Sequence, residues 1–127
     1  MQTMAAAKGY QAANIGTADR LRLVILCYEG CIANASRALD EMKKGNIAEK
    51  GVYLSKATAI VSELMSSLDK EQGGEIAERL EGLYLFVLNS FSQANLKNDP
   101  ALIESSLSVL RELKEGWIAL SKKGVTA

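Results

Sequence analysis

Two helix-start signals, Asn46-Ile47-Ala48-Glu49 and Asn98-Asp99-Pro100, cut a strongly apolar chain into long helical stretches. Helices with apolar stripes must bury them against one another, so a chain punctuated this way is restricted to a helical bundle. Asn46 with Glu49 three residues later is a capping-box variant. Asp99 is expected as an N-cap ahead of Pro100, whose ring suits a first helical position. Thr17 is expected to cap the first helix, with Asp19 in its first turn.

Apolar periodicity fills in the rest. Leu21, Val24, Ile25, Tyr28, Ile32, Ala35, Leu39 and Met42 mark one face of a first helix over about 17–44, which ends at Lys43-Lys44-Gly45. Val52, Ala57, Ile60, Val61, Leu64 and Leu68 mark a second over about 47–68. After the Gly73-Gly74 break, a third runs over about 74–96 on Ile76, Leu80, Leu83, Tyr84, Val87, Leu88 and Phe91. Ile103, Leu107, Leu110, Leu113 or Lys114, Trp117 and Leu120 carry a fourth over about 100–121. The short connections imply antiparallel neighbours. The expected fold is all-α: one domain over 1–127, an elongated up-down-up-down four-helix bundle with a loosely ordered N-terminal arm over 1–16. The middle of the third helix is apolar on nearly every side, so it either touches several neighbours or is exposed to a partner.

Composition narrows the function. The chain has no His, which removes the residue most used in bundle metal sites and in acid-base chemistry near neutral pH. Cys27 and Cys31 lie one turn apart, which suits free thiols at a helix interface and is neither a CxxC motif nor enough for a zinc shell. Asp69, Glu71, Glu75 and Glu78 flank a turn and a helix N-terminus, where carboxylates are favoured without any metal. With fifteen basic and fifteen acidic side chains, no global field recruits nucleic acid or an anionic membrane. No apolar run is long enough to span a bilayer, so a soluble, cytoplasmic protein is expected, with neither cofactor nor metal. Gly30 and Gly82, each near a Tyr inside a helix, permit close approach of another helix, from the bundle or from a partner.

Several segments together resemble the FliS family, the flagellar secretion chaperones that hold flagellin before export. Thr17-Ala-Asp-Arg-Leu-Arg-Leu-Val-Ile-Leu-Cys-Tyr-Glu-Gly30 is similar to the family's opening, a Thr followed by a Leu-rich turn and Tyr-Asp-Gly. Ser62-Glu-Leu-Met-Ser-Ser-Leu-Asp69 with Gly73-Gly74-Glu75-Ile76-Ala77 is the most specific part, and Leu83-Tyr84, Asn95 and Leu110 to Trp117 follow in the family's order. Asp19-Arg20 stands where many members have Ser-Pro.

The resemblance implies a chaperone, not an enzyme, whose apolar groove receives the disordered C-terminal segment of flagellin as it turns helical. It also implies contacts with components of the flagellar export apparatus. The groove is expected to involve Tyr10, Ile15, Leu21, Val24, Tyr28, Leu64, Leu68, Leu83, Tyr84 and Val87. Tyr10 matches the family's arm Tyr, which covers part of a groove in the free protein. Two alternatives come from other classes. One is a small helical enzyme acting on an anionic metabolite, which needs Arg20, Arg79 or Arg111 turned inward beside a Glu. The other is a self-associating bundle whose apolar strip is a homodimer seam.

Overall fold

The computed structural model describes residues 16–123. The expected Tyr10 and Ile15 contacts, and the arm itself apart from Gly16, lie outside those residues. Four helices follow in order: α1 (Thr17–Lys43), α2 (Ile47–Ser66), α3 (Lys70–Lys97) and α4 (Pro100–Lys122), with no strand among the described residues. Each helix packs on its neighbours in sequence and α4 closes against α1, giving an up-down-up-down bundle. α1 packs more extensively against its two neighbours than α3 does.

The turns show which local signals win. Gly45 sits at φ 80°, a left-handed conformation that a side chain would strain. Its N–H donates to the Met42 carbonyl at 3.1 Å while Asn46 N–H donates to the Glu41 carbonyl at 2.9 Å, the paired bonds of a Schellman motif. That motif disables the expected capping box. The Asn46 N–H that Glu49 would have to engage is already donated, and Asn46 Nδ2 donates to Glu41 Oε1 at 3.2 Å, so α2 starts without a side-chain cap. Thr17 is likewise not a cap: Gly16 holds the N-cap position and Thr17 is the first helical residue.

α3 begins four residues earlier than the glycine pair implied. Asp69 Oδ1 accepts the N–H groups of Glu71 and Gln72, both at 3.1 Å, which stabilises a first turn ahead of a kink at Gly74 (φ 52°, ψ −127°). α2 ends at Ser66, two residues short of Leu68, where the Ser67 hydroxyl bonds the Glu63 and Leu64 carbonyls. The α3–α4 turn behaves as expected, with Asn98 left-handed at φ 53° and Asp99 Oδ1 accepting from Ala101 N–H at 3.0 Å. Asp99→Ala should therefore lower unfolding free energy by about 1 kcal/mol. Urea titration checks this, and an unchanged midpoint would show that Pro100 alone sets the helix start.

The core is built from Tyr28, Cys31, Ala35, Ala38 and Met42 of α1, Leu54, Ala57, Val61 and Leu64 of α2, Tyr84, Val87, Phe91 and Ala94 of α3, and Ile103, Leu107 and Leu110 of α4. Small residues where α1 meets α2 let those two helices approach closely; a Cβ on Gly30 would be 3.7 Å from Ile60 Cδ1, ordinary contact. Four stripe residues are misplaced by periodicity, among them Leu83 and Leu120 at 36% and 37% exposed. Val52 is 47% exposed while Leu54 is buried, and Ile76, just past the Gly74 kink, is 70% exposed.

Candidate functional site

The charge pattern of α3 points to the site. From Leu83 to Leu96 it carries no charged residue, although much of this stretch faces solvent. With Tyr84, Val87 and Phe91 turned inward, helical geometry places Leu85 on one flank, Leu83 on the other and Phe86 outward. Their exposures are 51%, 36% and 46%. Neighbouring exposed apolar side chains of this kind are typical of interaction surfaces.

Beside this band runs a groove of about 350 Å³ between α2 and α3. Leu54, Ser55, Thr58 and Ala59 line it from α2, and Leu88, Phe91, Ser92 and Asn95 line it from α3. Phe91 is almost wholly buried and forms the floor. No lining residue is charged. Leu85 lies one turn before Leu88 on the same flank and so extends the groove wall, while Phe86 and Leu83 carry the apolar exposure round the outer side of α3. Small hydroxyl and methyl groups on α2 leave room for a helix, and the leucines of α3 supply apolar contact for its i, i+3 and i+4 side chains. A second groove of about 400 Å³, between the start of α1 and the end of α4, has Asp19 and Arg22 among its walls and is less suited to an apolar occupant.

Most of the residues expected from sequence at a groove do not line this one. Leu21, Tyr28, Leu64, Tyr84 and Val87 are buried in the bundle, and Val24 and Leu68 are half-buried against the core. Leu83 alone of the described set is on the open surface. The reason is physical: the most regular apolar stripe on a helix is the one its own bundle buries, and a groove for a partner is built from the residues flanking that stripe. Ser55, Thr58, Ser92 and Asn95 of this groove are polar, so apolar periodicity does not single them out. The uncharged stretch Leu83 to Leu96 is a sequence signal for Ser92 and Asn95, whereas Ser55 and Thr58, on either side of Lys56, carry none.

Tyr28 and Tyr84 instead join across the bundle, their hydroxyls 2.6 Å apart. Trp117 packs on Tyr28 with ring centroids 6.4 Å apart. Burial pushes both tyrosine hydroxyls above their ordinary range. Burial, and then the neighbouring Cys27, pushes the Cys31 thiol up to about 12. Burial likewise raises Cys27. These groups stay protonated near neutral pH and are poor nucleophiles. Neither cysteine forms a disulfide, and Cys31 Sγ donates to the Ala57 carbonyl at 3.6 Å.

The arginines required by the enzymatic alternative do not converge. Arg20, Arg79 and Arg111 are all exposed, and Arg79 pairs with Glu75 at 2.6 Å on the surface of α3. In the acidic cluster, Asp69 is spent on the α3 cap. Among the described residues no group of three or more His, Cys, Asp or Glu could hold a metal ion, and no helix is long and apolar enough to cross a membrane.

The family model described as flagellar protein FliS matches residues 1–124. The flagellar secretion chaperone FliSB of Pseudomonas aeruginosa is 34% identical over 125 residues, covering 95% of this chain and 99% of that protein. The flagellar secretion chaperone FliS of Escherichia coli is 36% identical over 122 residues, covering 90% of each. That of Vibrio cholerae is 37% identical over 103 residues, covering 81% of this chain and 76% of its own length.

Proposed function

The chain belongs to the FliS family of flagellar proteins, and from that premise we propose that it is a cytoplasmic export chaperone that holds the C-terminal segment of flagellin in the α2–α3 groove until secretion. The observation that carries this reading is the uncharged, half-exposed band Leu83, Leu85 and Phe86 beside an uncharged groove. A segment that folds only in the filament presents apolar faces that would otherwise pair with other subunits. A preformed bundle covers them reversibly, and the ordering cost of the segment limits affinity enough for later release. Such work needs a surface, not a reaction. Contacts with the export apparatus belong to the same proposal, since the cargo must be passed on.

Calorimetric titration with the flagellin C-terminal segment should give saturable one-to-one binding, a negative heat-capacity change and a gain in helix content. No binding at about 10 μM would overturn the proposal, because a dissociation constant weaker than that corresponds to less than about 7 kcal/mol. Light scattering separates the homodimer reading: a free monomer leaves the band open for cargo, whereas a dimer unaffected by cargo would assign the band to self-association.

A further inference from the structure

A buried cation without a matching anion lies at one end of the α2–α3 groove. Lys50, at the start of α2, is 2% exposed. Its Nζ donates to the backbone oxygen of Asn95 at 3.0 Å and to Asn98 Oδ1 at 2.5 Å. Both acceptors are neutral, and among the described residues no carboxylate forms an ion pair with Lys50. Glu41, a carboxylate in the last turn of α1, is engaged by Asn46 Nδ2 at 3.2 Å and by Lys44 at 4.0 Å. An ammonium has three donors, so one N–H of Lys50 is left over.

The negative end of the α3 dipole offsets part of this charge. Even so, an ammonium held in the interior by neutral oxygens alone gains further from any anion that reaches it. Asn95 joins the two features, since its carbonyl holds Lys50 while the residue itself lines the groove. The remaining groove walls are uncharged. This end is therefore where a charge on the occupant can be matched.

We propose that Lys50 receives the terminal carboxylate of the segment seated in the groove. The occupant's last residue then lies where α2 begins and α3 ends, and its helix runs parallel to α3 and antiparallel to α2. The proposal rests on the reading that flagellin's C-terminal segment, which ends in a free α-carboxylate, is the cargo, and it adds a register and a direction. A helix placed this way also brings the negative end of its own dipole toward Lys50.

The test uses the flagellin C-terminal peptide prepared as the free acid and as the C-terminal amide, titrated into the full chain, Lys50→Met and Asn98→Asp. The amide should bind the unaltered chain about tenfold more weakly than the acid. In Asn98→Asp a built-in carboxylate occupies Lys50, and both peptides should bind with the amide's affinity. Lys50→Met should do the same, with circular dichroism reporting its helix content. Asn98→Asp keeps Lys50 paired, so it decides the matter if the Met variant does not fold. Equal, saturable binding of acid and amide to the unaltered chain overturns the carboxylate site and leaves the chaperone reading standing. A preference for the acid that survives in the folded variants also overturns it, and failure of both peptides to bind removes both readings.

Discussion

The double substitution Leu85→Asp/Phe86→Asp should leave the bundle folded and weaken cargo binding by about a hundredfold or more. Covering the exposed half of one such side chain stabilises a complex by about 0.7–1.5 kcal/mol, and setting a carboxylate against an apolar helix adds a desolvation penalty of about 1–3 kcal/mol. Two positions together therefore exceed the roughly 2.7 kcal/mol that a hundredfold change requires. The free chain should lose far less, because both side chains are already about half exposed and neither belongs to the core. Leu26→Asp is the informative control. Leu26 is also 51% exposed, but it lines the α1–α4 groove, so cargo affinity should stay within about twofold of the unaltered chain. Loss of binding in Leu26→Asp with retention in the double variant would move the cargo site to the α1–α4 groove.

The contrast between what was readable and what was not follows the range of the interactions involved. Gly45 and Asp99-Pro100 act on their own backbones, and both turns form as the residues dictate. Asn46-Glu49 carries an equally local signal, yet it loses to a Schellman motif that takes the same N–H first. Two local rules competed there, and the preceding helix had the prior claim. Burial is harder, because it depends on where the neighbouring helix lies. Val52 and Leu54 are equally apolar and two positions apart, and only the packing of α2 decides that Leu54 turns inward. The same limit explains the site. Tyr28 and Tyr84 are amphipathic rings of the kind that can edge a groove, but their hydroxyls satisfy one another inside the bundle. Lys50 gives no sign in the sequence of being buried; its partners, Asn95 and Asn98, are supplied by the end of a helix far along the chain.

Phe91→Ala should give the largest loss of stability, because this ring is 1% exposed and sits in the core. Truncating a buried Phe removes about 3–5 kcal/mol, out of a total that for a domain is about 5–15 kcal/mol. For a chain of this size the melting temperature should fall by about 10–20 °C. Ile103→Ala, at a fully buried position on α4 away from the groove, should destabilise by a comparable about 2–5 kcal/mol. Cargo separates the two. A ligand at a hundred times its dissociation constant stabilises the native state by about 2.7 kcal/mol, and Ile103→Ala should recover that full amount because its groove is intact. Phe91 also forms the groove floor, so in Phe91→Ala the bound helix loses part of its support, and the thermal shift produced by the same cargo concentration should be visibly smaller. Equal cargo-induced shifts in the two variants would show that Phe91 serves the core alone and that the cargo does not reach the groove floor.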